Sequence, residues 1–222
     1  MLADDGAFVV EVPQAVDLIE KNEFDTVYHE HLSQFSVHSL AALFRRHGME
    51  IFDLERLSLH GGSMRVFVQR TGVARPVTAA VGIALARERS AGLFEATTYD
   101  AFRARVEANR ESFLALVQRL KAEGKRLAGY GAAAKGTTLL NYYRVGPEVL
   151  DFIADRNELK HGLYSPGMHI PVAATSHIIE DQPDFLVILA WNFADEIMAQ
   201  QEEYRRRGGR FILPIPHPEI VA

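Results

Sequence analysis

Apolar and polar residues fall into short blocks over the first seventy positions. Phe8-Val9-Val10-Glu11-Val12-Pro13 reads as a strand. Leu40, Leu43 and Phe44 recur at helical spacing behind Ser36 and Ser39, either of which can cap a helix start, and Gly48 stands where a helix closes on a left-handed residue. A helix of about ten residues is expected there. Met49 to Glu55 and Met64 to Arg70 are rich in strand formers, and His60-Gly61-Gly62-Ser63 between them reads as a turn, so they are expected to form an antiparallel pair. Strand, helix and hairpin in that order fit the closing third of a doubly wound sheet, so the chain is expected to open in the middle of a fold.

Thr71 to Pro76 reads as a linker, followed by two helical stretches, Val77 to about Glu95 and Tyr99 to about Glu123. Phe102, Val106, Phe113, Leu116, Val117 and Leu120 give the second an apolar face. Strands are then expected at about 126–130, 149–154, 184–190 and 210–214, with helices at about 132–143 and 193–207 and a looser stretch at 157–172. The tail Phe211 to Pro216 reads as a strand leaving the sheet. This alternation predicts an α/β fold that ends in a Rossmann-like, mainly parallel domain.

Composition narrows the function. A formal charge of −5 and the lack of any basic patch beyond Arg205-Arg206-Arg207 argue against nucleic acid and membrane surfaces as partners. No apolar run approaches a membrane span and the start does not resemble a signal peptide, so a cytoplasmic protein is expected. The absence of cysteine excludes disulfides and thiolate zinc, and no metal site is assigned.

Three runs carry chemistry. Tyr28-His29-Glu30-His31 packs a phenol, two imidazoles and a carboxylate into one short segment, enough for a general base and the groups that orient it. On a helical turn Tyr28 and His31 would share a face, which favours His31 as the base over His29. Gly129-Tyr130-Gly131-Ala132-Ala133-Ala134-Lys135-Gly136 follows a strand and opens a helix, an arrangement suited to phosphate oxygens, with Lys135 as an added charge. Asp155 ends the next strand, near the position of a ribose-binding carboxylate, and the same glycines also let a helix sit tightly on a sheet. Trp191-Asn192-Phe193 follows a buried-looking strand, at the carboxyl edge where ligands bind in open α/β sheets.

Phe24 to Ser33, His60 to Val66, Gly129 to Gly136, Asp155-Arg156-Asn157 and Trp191-Asn192-Phe193 together resemble the sugar C-methyltransferase family, in that family's order. The resemblance implies a division into 1–72, the end of a class I methyltransferase catalytic domain; 73–124, linking helices; and 125–222, a Rossmann-like nucleotide-sugar-binding domain. It implies methyl transfer from S-adenosylmethionine to a carbon beside the ketone of a nucleotide-linked 4-keto-deoxysugar through an enolate. His31 is then the base, with His29 as the alternative; Tyr28 contacts the substrate or enolate oxygen, and Glu30 orients or tunes the histidine. Substrate contacts are assigned to His29, His60, Gly61, Gly62, Ser63, Arg65, Gly129, Tyr130, Gly131, Lys135, Asp155, Trp191 and Asn192. The glycine-rich strand for S-adenosylmethionine is expected upstream or on a separately encoded N-terminal half, which would leave this chain inactive alone. Gln34 and Ala190 depart from the family's usual aromatic residue and proline. Two readings compete: an NAD(P)-dependent Rossmann oxidoreductase using the Gly129 loop and Asp155, and a non-catalytic sugar-nucleotide-binding module.

Overall fold

The computed structural model describes residues 2–57 and 61–221. The chain forms two compact units, one of Met1–Phe24 with His31–Ala104 and one of Asp25–Glu30 with Arg105–Ala222.

The first unit holds β1 (Phe8–Pro13), β2 (Met49–Leu57) and β3 (Ser63–Arg70), antiparallel in the order β1-β3-β2. β3 takes the centre because Met64, Val66 and Val68, at every second position, are fully buried against α2 (Val37–Arg46) and α3 (Ala79–Ser90). Ser36 and Ser39 cap α2 reciprocally, each hydroxyl accepting the other's amide at 3.0 Å, and Gly48 at φ 66° follows its end, as the sequence led us to expect. Leu40 and Phe44 are buried but Leu43 is exposed, so the apolar stripe is narrower than its spacing indicates. Residues 15–20 form a short helix α1 (Ala15–Glu20) that no sequence pattern marked, whose Val16, Leu18 and Ile19 pack with Leu93.

The second unit takes in the later part of α4 (Ala96–Ala122), where Val106, Phe113, Val117 and Leu120 are buried. Its sheet comprises β4 (Leu127–Tyr130), β5 (Ile153–Asp155), β6 (Val172–Ala174), β7 (Phe185–Ile188), β8 (Arg210–Leu213) and β9 (Glu219–Val221), in the order β6-β5-β4-β7-β8-β9. β9 alone is antiparallel. Strand order reverses between β4 and β7, as in a Rossmann fold. The mainly parallel α/β prediction holds.

Three details differ from the sequence reading. β6 follows the stretch read as loose, because its three residues are too few for periodicity to register. The tail does not leave the sheet at 211: β8 lies inside it, paired with β7 and β9. The helix expected over 193–207 breaks at Gln201 into α7 (Ala194–Gln200) and α8 (Glu202–Arg206). The remaining helices of this unit are α5 (Ala134–Tyr143) and α6 (His177–Asp181). No helix among the described residues is long and apolar enough to cross a membrane.

Candidate active site

Residues 25–30 belong to the second unit although they are distant from it in sequence. Phe24–Thr26 is a single 3-10 turn, and the chain continues through a bend at Tyr28 and a turn at His29 and Glu30. The run is not helical, so the shared face that favoured His31 over His29 does not form. His31 is counted with the first unit and is partly buried, while His29 and Glu30 are exposed.

Tyr28 and His29 line a cavity of about 440 Å³ in the second unit. The start of α5, Ala132 to Ala134 with Thr137 and Thr138, lines the same cavity, as do Lys160, Tyr164 and Ser165. The Tyr28 phenol is pushed above the ordinary tyrosine value, first by burial, then by the charges of Glu30 and Asp25. It therefore stays protonated at neutral pH and can donate a hydrogen bond.

The glycine turn has the shape its sequence suggests. Gly131 has φ 92°, a left-handed conformation suited to glycine, and a Cβ there would lie 2.9 Å from the Ala190 Cβ. A Cβ on Gly136 would lie 2.8 Å from the Leu189 Cβ, so α5 sits directly on the sheet. Gly129 and Tyr130 are strand residues of β4.

Asp155 is only 8% exposed, and its carboxylate is spent within the loop. One oxygen accepts the Asn157 amide at 2.8 Å; the other accepts the Ala132 amide at 2.7 Å and the Lys160 ammonium at 3.2 Å. Lys160 also donates to the Ala132 carbonyl at 2.8 Å, so it braces the turn and faces the cavity together. Sequence reasoning missed Lys160, which carries no motif signal. A second cavity of about 290 Å³ lies at the strand-order reversal, lined by Tyr130, Gly131, Asp155, Arg156, Ala190 and Phe193 among others.

Lys135 does not line either cavity. Its ammonium donates to Asn192 Oδ1 at 2.6 Å and lies 4.4 Å from the centre of the Trp191 ring. The Trp191 indole in turn donates to Asp25 Oδ2 at 2.7 Å. Asp25 is fully buried and its other oxygen has no hydrogen-bond partner. Burial pushes its carboxyl up to about 6, against the opposing pull of the Trp191 hydrogen bond, the Lys135 charge and its own backbone amide. Asp25 is the second residue missed from sequence; only its place three residues before Tyr28 could have marked it.

Of the other assigned residues, Gly61, Gly62, Ser63 and Arg65 belong to the first unit. Gly61 and Gly62 have φ 95° and 158°, and a Cβ on either would strike Glu23 or Asp17, respectively. Gly61 also accepts a hydrogen bond from Lys21, and Gly62 accepts from the Gln14 amide at 3.2 Å. Ser63 opens β3 and is buried. Arg65 stands on β3 opposite Glu11 and Glu55 and pairs with both, at 2.9 and 3.4 Å. His60 lies outside the described residues.

Comparison with known proteins gives a family and a relative. The model of a C-methyltransferase C-terminal domain matches residues 58–216. C-methyltransferase NovU from Streptomyces niveus is 42% identical over all 222 residues, and the chain spans 53%, about half, of that relative's length.

Proposed function

The chain belongs to the C-methyltransferase family, and we propose that it carries the acceptor-handling part of such an enzyme, acting on a nucleotide-linked 4-keto-deoxysugar. The observation that supports this most is the 440 Å³ cavity, whose size suits a small-molecule site and whose walls are the Tyr28–His29 turn and the amino-terminal end of α5. A helix start offers unpaired amides to a diphosphate, and Lys160 on the cavity wall supplies a cation. By motif, His31 takes the proton from the carbon beside the ketone, leaving an enolate. Tyr28, protonated at neutral pH, donates to the developing oxyanion, and Glu30 tunes the histidine.

S-adenosylmethionine, the methyl donor that this family implies, supplies an electrophilic methyl to such an enolate. The described residues do not fit it. The first unit's sheet is antiparallel throughout, without the parallel strand, glycine turn and helix that cradle a nucleoside, and the second unit's glycine turn has its carboxylate occupied by Ala132, Asn157 and Lys160. We assign the donor's residues to the remaining length of such relatives, on the same or a separate chain. Calorimetry on this chain should find no measurable affinity for S-adenosylmethionine, and micromolar binding would reverse that assignment.

Calorimetric titration with deoxythymidine diphosphate tests the acceptor reading. Binding should weaken as salt rises, and Lys160→Ala should weaken it more than Lys135→Ala, whose ammonium is held at Trp191 and Asn192. In a full-length enzyme carrying these residues, His31→Ala should lower turnover by about 10²–10⁴ and His29→Ala much less. The reverse order would transfer the base role to His29. The strand order keeps the nicotinamide oxidoreductase reading in view. Tight NADH binding lost in Asp155→Ala would promote it, and diphosphate binding without any exchange of the substrate's acidic hydrogen in a complete enzyme would leave a binding module.

A further inference from the structure

Asp25 has a carboxylate that the reaction scheme does not use. It is wholly buried in the second unit, holds the Trp191 indole through one oxygen at 2.7 Å, and leaves the other without a hydrogen-bond partner. An ionised carboxylate in that state is costly unless it is compensated, and a partly satisfied buried group is more often kept for function than for stability. The compensation comes from Lys135 on α5, whose ammonium reaches Asn192 and the Trp191 ring face. The chain from Asp25 to His29 then runs straight onto the cavity wall.

Resting on the acceptor reading of that cavity, we propose that Asp25 is a positioning residue: clamped to Trp191 and balanced by Lys135, it fixes the Tyr28–His29 turn against the start of α5. The clamp is electrostatic, so it depends on ionisation. Burial raises the Asp25 carboxyl to about 6, and protonation would weaken both the indole hydrogen bond and the attraction to Lys135. The groups that face it are Lys135 and Tyr143 from α5, Trp191 after β7, and Tyr28 from its own segment. Both phenols are shifted upward, so neither titrates in the same range as Asp25.

Trp191 is the only tryptophan in the chain, so its fluorescence reads the clamp directly. From pH 4.5 to 8 the full chain should show one step near pH 6, unchanged in His29→Gln and absent in Asp25→Asn. At pH 7, Trp191→Phe should speed amide hydrogen exchange of residues 26–30 by about 10-fold relative to the rest of the second unit, the size expected for a lost hydrogen bond to a charged group. Asp25→Asn keeps an acceptor for the indole but removes the charge, so it should speed that exchange by less than Trp191→Phe does and abolish its dependence on pH. A fluorescence step that survives in Asp25→Asn, or a segment equally protected in Trp191→Phe, would overturn the inference. The wild-type titration needs no variant to fold, and a flat wild-type trace overturns it as well. Deoxythymidine diphosphate should slow exchange over 26–30. If it does not while the clamp behaves as described, the acceptor reading fails and the role of Asp25 in holding the segment stands.

Discussion

Asp17 and Glu88 of the first unit and Asp25 of the second are all buried carboxylates, and they are partnered differently. In the first, Asp17 receives Arg56 and Arg87, each at 2.9 Å, and Arg87 also reaches Glu20 and Gln14. Glu88 on α3 is 0% exposed and accepts the Val37 and His38 amides at 2.5 and 3.1 Å, with the His38 ring at 2.6 Å, so it caps α2 from another helix. Both acids are fully partnered, and they hold a scaffold. In the second unit Asp25 takes the Trp191 indole on one oxygen, its other oxygen has no hydrogen-bond partner, and its carboxyl is raised. Full partnering marks an acid that braces the fold, and incomplete partnering beside a cavity marks one that costs stability for the sake of a site.

The comparison breaks most sharply at Glu88. Glu88→Ala strands two helix amides and removes a buried charge, so urea unfolding should show a loss of about 3–5 kcal/mol. A loss below about 1 kcal/mol would mean the acid is not a brace.

Asp25 should behave in the opposite way. Its folded value of about 6 lies above the ordinary 3.8, so between those two pH values the folded chain keeps a proton that the unfolded chain has released. Stability therefore falls as pH rises from about 4 through 6, by on the order of 2–3 kcal/mol in all. Asp25→Asn should remove that fall and unfold later than the wild type at pH 7, a gain in stability at the site's expense. Parallel denaturation curves at pH 4 and pH 7 check it, and identical pH slopes would count against a raised Asp25.

Gly131→Ala tests whether the second unit's turn is as constrained as its φ implies. Placing a Cβ at φ 92° and 2.9 Å from Ala190 should cost about 1–3 kcal/mol and weaken diphosphate binding. The smallest effect is expected at Arg65, which is partly exposed between Glu11 and Glu55. Arg65→Ala should cost under about 1 kcal/mol, the ordinary worth of a surface pair. A larger effect on turnover than on stability would return Arg65 to the substrate site.

Much of the scaffold was legible along the chain. The Ser36–Ser39 cap, the Met49 to Arg70 hairpin and the parallel alternation after Lys125 all depend on neighbours in sequence, where capping, turn chemistry and periodicity act. Short elements were not legible: α1 and β6 hold too few residues for a period to show, and Gln201 interrupts a helix without a glycine or proline to announce it. For the site, the sequence named the Tyr28 segment, the Gly129 turn and Trp191 as places where chemistry gathers. Only the tertiary structure decided what they touch. It gave residues 25–30 to the second unit, turned Lys135 from the cavity to Trp191, spent Asp155 on its own loop and put Lys160 on the cavity wall. Residue type fixes which bonds a side chain can make, whereas burial and long-range partners fix which it does make, and for Asp25 and Trp191 those partners lie 166 positions apart.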